Sequence, residues 1–122
     1  MQAEFAHDIA PVNVNELVPR PNRSEAFRQS HVKFVSDSSG CYALCSAVGT
    51  VLYVGLAENI QRRMAQHLAT PIKTQETPVG RAVLFYWLEA ENIQSLERAW
   101  LNVHVQHEGV YPVLNRVFSP VG

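Results

Sequence analysis

Apolar positions change their spacing along this chain, and each change marks an element. From Gly40 they alternate in twos, with Tyr42, Leu44 and Ser46 on one face of a strand and Cys41, Ala43 and Cys45 on the other. After a break at Ala47-Val48-Gly49 the alternation resumes, placing Val51, Tyr53 and Gly55 on a shared face. Two short apolar runs around a glycine-containing break predict a hairpin. From Glu58 to Leu68 the spacing becomes helical, with Ile60, Met64 and Leu68 as the apolar stripe. At about 100° per residue, Arg63 lies about 60° and His67 about 20° from Ile60, so both border the buried seam. Arg62 lies about 200° away, towards water. Arg63 and His67 are also four residues apart, close enough on a helix to reach one target.

Pro71, Pro78 and Gly80 break up residues 69–80, a loop containing Lys73 and Thr77 whose tip could touch a substrate but which reads first as a solvated connector. Arg81 to Leu88 predicts a third strand. It is apolar on both faces, as a central strand covered on both sides must be. A second helix is expected from Glu91 to about His107, with Leu96, Trp100 and Val103 at helical spacing. Glu97 falls at the edge of that stripe and Arg98 points away. Glu108-Gly109 ends the helix, Tyr111-Pro112 turns the chain, and Leu114-Asn115 returns it to the core.

Upstream, Pro11, Pro19 and Pro21 interrupt any long element. Val12, Val14 and Val18 are expected in a short edge strand or packed over the core. Ser24 to Ser30 suits a short helix, and Val32, Phe34 and Val35 are apolar enough to pack. The expected architecture is an α/β (α+β) domain over residues 40–122, a small three-stranded antiparallel sheet flanked by helices. Residues 1–39 form an extension of unassigned role.

Composition narrows the class. Hydrophobic residues make up 47% and charged residues 17% of 122, ordinary for one folded domain. No apolar run approaches the ~20 residues of a membrane span, and Met1-Gln2-Ala3-Glu4 lacks the basic flank of a signal peptide. A cytoplasmic protein is expected. Cys41 and Cys45 would lie roughly 13 Å apart along a strand, too far for a disulfide, so buried free thiols are expected. Ten Lys and Arg against eleven Asp and Glu give a net charge of -1. That balance argues against strong non-specific nucleic-acid binding, which needs a basic surplus. Eight of the ten basic residues are arginine, which suits bidentate phosphate contacts.

Gly40-Cys41-Tyr42, ten residues, then Tyr53-Val54-Gly55 resembles the signature of the GIY-YIG nucleases. The resemblance continues through Arg63, eight residues after the last glycine, His67 four later, Glu97 on the second helix, and Pro112-Val113-Leu114-Asn115. It covers residues 40–116. Cysteine and valine stand at the central positions of the two motifs, where packing is the only demand. Ala57 stands where a helix-capping Ser or Thr is frequent, so the cap is expected to fall to Asn59 or to be weak.

The resemblance implies a metal-dependent endonuclease that hydrolyses phosphodiester bonds of nucleic acid, with DNA expected. It implies site residues Tyr42, Tyr53, Arg63, His67, Glu97 and Asn115. Arg63 would bind the phosphate, Glu97 would hold Mg²⁺ or Mn²⁺, and Asn115 would brace the site. A tyrosine or His67 would activate water, and the residues leave open which one. The chemistry of the side chains agrees: a single carboxylate with retained waters suits Mg²⁺, and a phenol of pKa near ~10 needs help to act as a base.

Each residue taken alone has a plainer role, as a strand aromatic, a snorkelling arginine, a helix-end histidine or a turn asparagine. The alternative function is a catalytically weak or inactive module of the same fold that binds nucleic acid or a protein partner. Seven residues follow Asn115, so an appended target-reading domain is not expected, and a protein partner or homodimer would then select the target. His104 and His107, three apart, offer a weak metal pair with no third ligand in view.

Overall fold

The computed structural model describes residues 11–116. Four strands make one antiparallel sheet: β1 (Arg23–Ala26), β2 (Gly40–Cys45), β3 (Val51–Ala57) and β4 (Leu84–Glu89), in spatial order β1-β4-β2-β3. Among the described residues three α-helices accompany it: α1 (Ile60–Leu68), the single turn α2 (Pro71–Thr74) and α3 (Ile93–Glu108). The mixed α/β class and the helix-flanked antiparallel sheet are as expected, but the sheet has four strands. The fourth is Arg23–Ala26, where a helix from Ser24 was expected. It pairs with β4 from Arg23↔Trp87 to Ala26↔Leu84, and a 3-10 helix (Gln29–Phe34) follows. Sheet pairing overrides the weak helical preference of so short a segment.

The sheet is buried on both faces, and β2 is buried at every position. One face carries Tyr42, Leu44, Leu52, Phe85 and Trp87 and is covered by Ile60 and Met64 of α1, with Phe27 and Val35 beside them. The other carries Cys41, Ala43, Cys45, Val51 and Val54 and is covered by Leu96 and Trp100 of α3, with Val12, Val14 and Leu17. The two thiols are free and buried.

Strict alternation fails at one point. Leu44 pairs with Tyr53 but Cys45 pairs with Val51, so Leu52 is an extra residue. Such a bulge rotates what precedes it. Val51 therefore lies on the Cys45 face and not with Tyr53, while Leu52 joins the Tyr42 face.

Other expectations moved for local reasons. Val18 and Phe34 are exposed, although Val12, Val14 and Val35 pack as expected. Residues 69–80 are more than a connector: Pro71 opens α2, and Thr77 and Gly80 bond each other across a tight turn. Asn59 takes the α1 cap, accepting from Arg62 N at 2.9 Å, and Gly109 ends α3 in the left-handed region at φ 81°. Among the described residues no helix is long and apolar enough to cross a membrane.

Candidate active site

Register builds the centre of the site. Tyr42 pairs with Gly55 across the hairpin, and its ring lies over that glycine. A Cβ at Gly55 would run into the Tyr42 hydroxyl and crowd Tyr53. Gly40 has a parallel reason: a Cβ there would strike Leu88 O and force β2 from β4. The two signature glycines are therefore places where one residue must leave room for another.

Tyr42 is completely buried, stacked on Phe85 at 5.2 Å between ring centroids, with Tyr53 at 6.0 Å and His67 at 5.4 Å. Its hydroxyl meets His67 Nε2 at 2.5 Å. Tyr53 is half-buried and meets His67 edge-on at 5.3 Å. Of the two phenols, only Tyr53 reaches the surface.

Helix α1 delivers the charges. Ile60, Met64 and His67 are buried, Arg63 is half-buried beside them, and Arg62 is exposed, as helical geometry requires. Burial drives the His67 imidazole down to about 3, and the charges of Lys73 and Arg63 add to the effect. His67 is therefore neutral at ordinary pH. Burial also holds the Tyr42 hydroxyl well above the usual tyrosine range. Burial raises Tyr53 as well; Tyr42 and Arg63 pull it down, and Glu97 pushes it up.

Glu97 comes from the opposite side of the sheet, on α3, and is half-buried. Burial raises its carboxyl above the usual range, and Arg98 partly offsets this. Two hollows adjoin along the edge of β3 and share Leu56 and Gln94. Arg63 lines one and Glu97 the other. The guanidinium and carboxylate thus reach the same edge from opposite faces, and both act on Tyr53.

Asn115 secures that edge. Its Oδ1 accepts from Val54 N at 2.8 Å and its Nδ2 donates to Val54 O at 2.9 Å. Leu114 N donates to Leu52 O at 2.8 Å. The returning chain thereby fixes the backbone on both sides of Tyr53.

Lys73 is a neighbour that sequence reasoning assigned to a plain connector. It is 9% exposed, and its Nζ stands 4.8 Å over the Tyr53 ring. Pro71 in the first turn, directly after α1, was the one signal that this segment folds back rather than projects. The His104 and His107 pair is not brought together as a metal site. The His104 ring is buried, with Nδ1 2.6 Å from Val110 O and Nε2 3.3 Å from Glu108. Among the described residues no three His, Cys, Asp or Glu side chains group to hold a metal. One carboxylate at an open hollow suits a largely hydrated hard cation such as Mg²⁺ and not a protein-caged ion.

The arrangement offers a half-buried guanidinium, a carboxylate at an open hollow, and a surface phenol backed by a neutral imidazole. The family model for the GIY-YIG catalytic domain matches residues 38–108, more than half of the chain. No curated protein matches.

Proposed function

The chain belongs to the GIY-YIG nuclease family, and on that premise we propose that it hydrolyses phosphodiester bonds of nucleic acid, DNA in the first instance, with Mg²⁺ or Mn²⁺. One observation supports this above the rest: Arg63 and Glu97, from opposite faces of the sheet, line adjoining hollows that share Leu56 and Gln94 along the edge of β3. A phosphodiester laid along that edge would meet the guanidinium and the carboxylate.

In this reading Arg63 binds the non-bridging phosphate oxygens, a fork geometry that guanidinium supplies. Glu97 would hold the cation, which when bound neutralises charge developing on the phosphate. Tyr53, the accessible phenol, first gives its own proton to solvent, and the phenolate then takes the proton of the attacking water. Tyr42 has no access to substrate and links Tyr53 to His67. An imidazole carrying its proton on Nε2 donates to the Tyr42 oxygen, which frees the Tyr42 hydroxyl to stabilise Tyr53 as it ionises. Asn115 positions Tyr53 through the backbone of Val54.

The experiment is cleavage of supercoiled plasmid with Mg²⁺ or Mn²⁺ by the full chain and by Glu97→Ala and Arg63→Ala. Nicking by the parent that both variants lose is the expected result. Equal nicking by all three would reject the site. Tight binding with no cleavage under any divalent cation would favour the binding-module reading, which the net charge of -1 and its implied need for a targeting partner support.

A further inference from the structure

Lys73 is built into the site in a way that packing alone does not explain. Its stem is buried and its ammonium stands 4.8 Å over the Tyr53 ring. Among the described residues no carboxylate pairs with it, and none pairs with Arg63. Burial, then the charge of Arg63, pushes the Lys73 ammonium below the usual lysine range. Both charges also depress His67. Two partly desolvated cations with no paired carboxylate among the described residues are costly to hold together. The segment that holds Lys73 is local and tied down. Lys73 N donates to Thr70 O at 3.0 Å, and Thr74 Oγ1 to Pro71 O at 3.2 Å.

We propose that Lys73 and Arg63 together form a two-cation subsite for a backbone phosphate, with Lys73 touching the phosphate directly from above Tyr53. The lysine supplies a compact point charge and the arginine a planar fork, so one anion can accept from both without competition for the same geometry. The cation–π contact with Tyr53 holds the ammonium at the rim in the absence of the anion. This rests on the phosphodiester reading for the choice of ligand.

The test separates binding from cleavage. A short fluorescein-labelled DNA duplex is titrated by anisotropy against the full chain in EDTA, at several salt concentrations, for the parent, Lys73→Met and Lys73→Arg. Met keeps the buried stem and loses the charge, so Lys73→Met should bind about tenfold more weakly. Its slope of log affinity against log salt should be shallower by about 0.9, one phosphate contact. Lys73→Arg should restore most of both. In ¹⁵N-labelled protein the Lys73 Nζ resonance should shift on adding the duplex. That resonance decides the matter if Lys73→Met fails to fold.

Unchanged affinity and slope in Lys73→Met, or a silent Nζ resonance, overturns the subsite even if the parent cleaves plasmid. Lys73-dependent binding by a parent that never cleaves keeps the subsite and removes the nuclease reading. A parent that binds no duplex removes the subsite outright.

Discussion

The Tyr42 hydroxyl and His67 Nε2 are joined by a buried 2.5 Å hydrogen bond between residues 25 apart in the chain. This bond ties β2 to α1 beside an imidazole that burial keeps neutral. A histidine held neutral beside two cations carries one ring proton, and with that proton on Nε2 it donates to the Tyr42 oxygen. Its consequences can be measured in stability, in chemistry and in packing.

Stability should fall as the solution is acidified from pH 6.5 towards pH 3. The folded imidazole is lowered to about 3 from its ordinary 6.5, so between these values the unfolded chain binds a proton that the folded chain refuses. The group's contribution is full above pH 6.5 and is lost on the way down. At pH 5 the loss is on the order of 2 kcal/mol. Urea unfolding at pH 7 and pH 5 should show it, and His67→Gln should remove this part of the pH dependence. A His67 resonance titrating near pH 6.5 in the folded protein would contradict the assignment.

The two phenols should separate in kinetics. Tyr53→Phe removes the surface hydroxyl and should lower kcat by about 10²- to 10⁴-fold, the usual worth of a general base. Tyr42→Phe removes the buried link to His67. It should lower kcat less and should also cost stability, because the His67 Nε2 loses its partner. Metal-dependent cleavage assays paired with thermal unfolding distinguish them. Equal losses in both variants would assign the water-activating role elsewhere.

Arg63 and Arg62 are neighbours in sequence with opposite exposures. Arg63→Ala should reduce kcat by about 10²- to 10³-fold, as the loss of one charge-stabilising donor does. Arg62→Ala should weaken binding only a few-fold, an effect that added salt removes. A larger loss in Arg62→Ala than in Arg63→Ala would mean that the helix presents its other face to the phosphate.

Much of this was legible in the chain because it depends on short-range pattern. The 3.6-residue period separates Arg63 from Arg62, and the motif spacing brings Tyr42 and Tyr53 onto one hairpin. What the sequence hid depends on long-range contact. Arg23–Ala26 becomes a strand only because β4 offers a partner. Leu52 becomes a bulge only because Leu44 and Cys45 fix the register on either side. Lys73 sits in a segment whose composition reads as solvent-exposed, and its burial comes from α2 folding back against the Tyr53 ring. That Arg63 and Glu97 act from opposite faces of the sheet was also invisible, since periodicity gives a helix its buried stripe but not its side of the sheet.

Gly55 and Asn115 should prove structural in different ways. Gly55→Ala places a methyl group where the Tyr42 hydroxyl and the Tyr53 ring already sit. Tyr42 is fully buried and stacked on Phe85, so neither ring can retreat without repacking the centre of the sheet. Overpacking of this kind costs about 1–3 kcal/mol or more, and by opening the packing around His67 to water it should return His67 towards an ordinary titration. Asn115→Ala instead unfastens both backbone groups of Val54 at the sheet edge. Water can replace one or both bonds there, so its cost should be at the lower end, about 1 kcal/mol. Its larger effect should fall on kcat, because the Tyr53 backbone is no longer held. Denaturant midpoints, His67 titration and plasmid nicking for both variants provide the check. Gly55→Ala should move all three, whereas Asn115→Ala should leave the His67 titration in place. A Gly55→Ala protein of parental stability with His67 still depressed would show that the ring of Tyr42 does not need the space over that glycine.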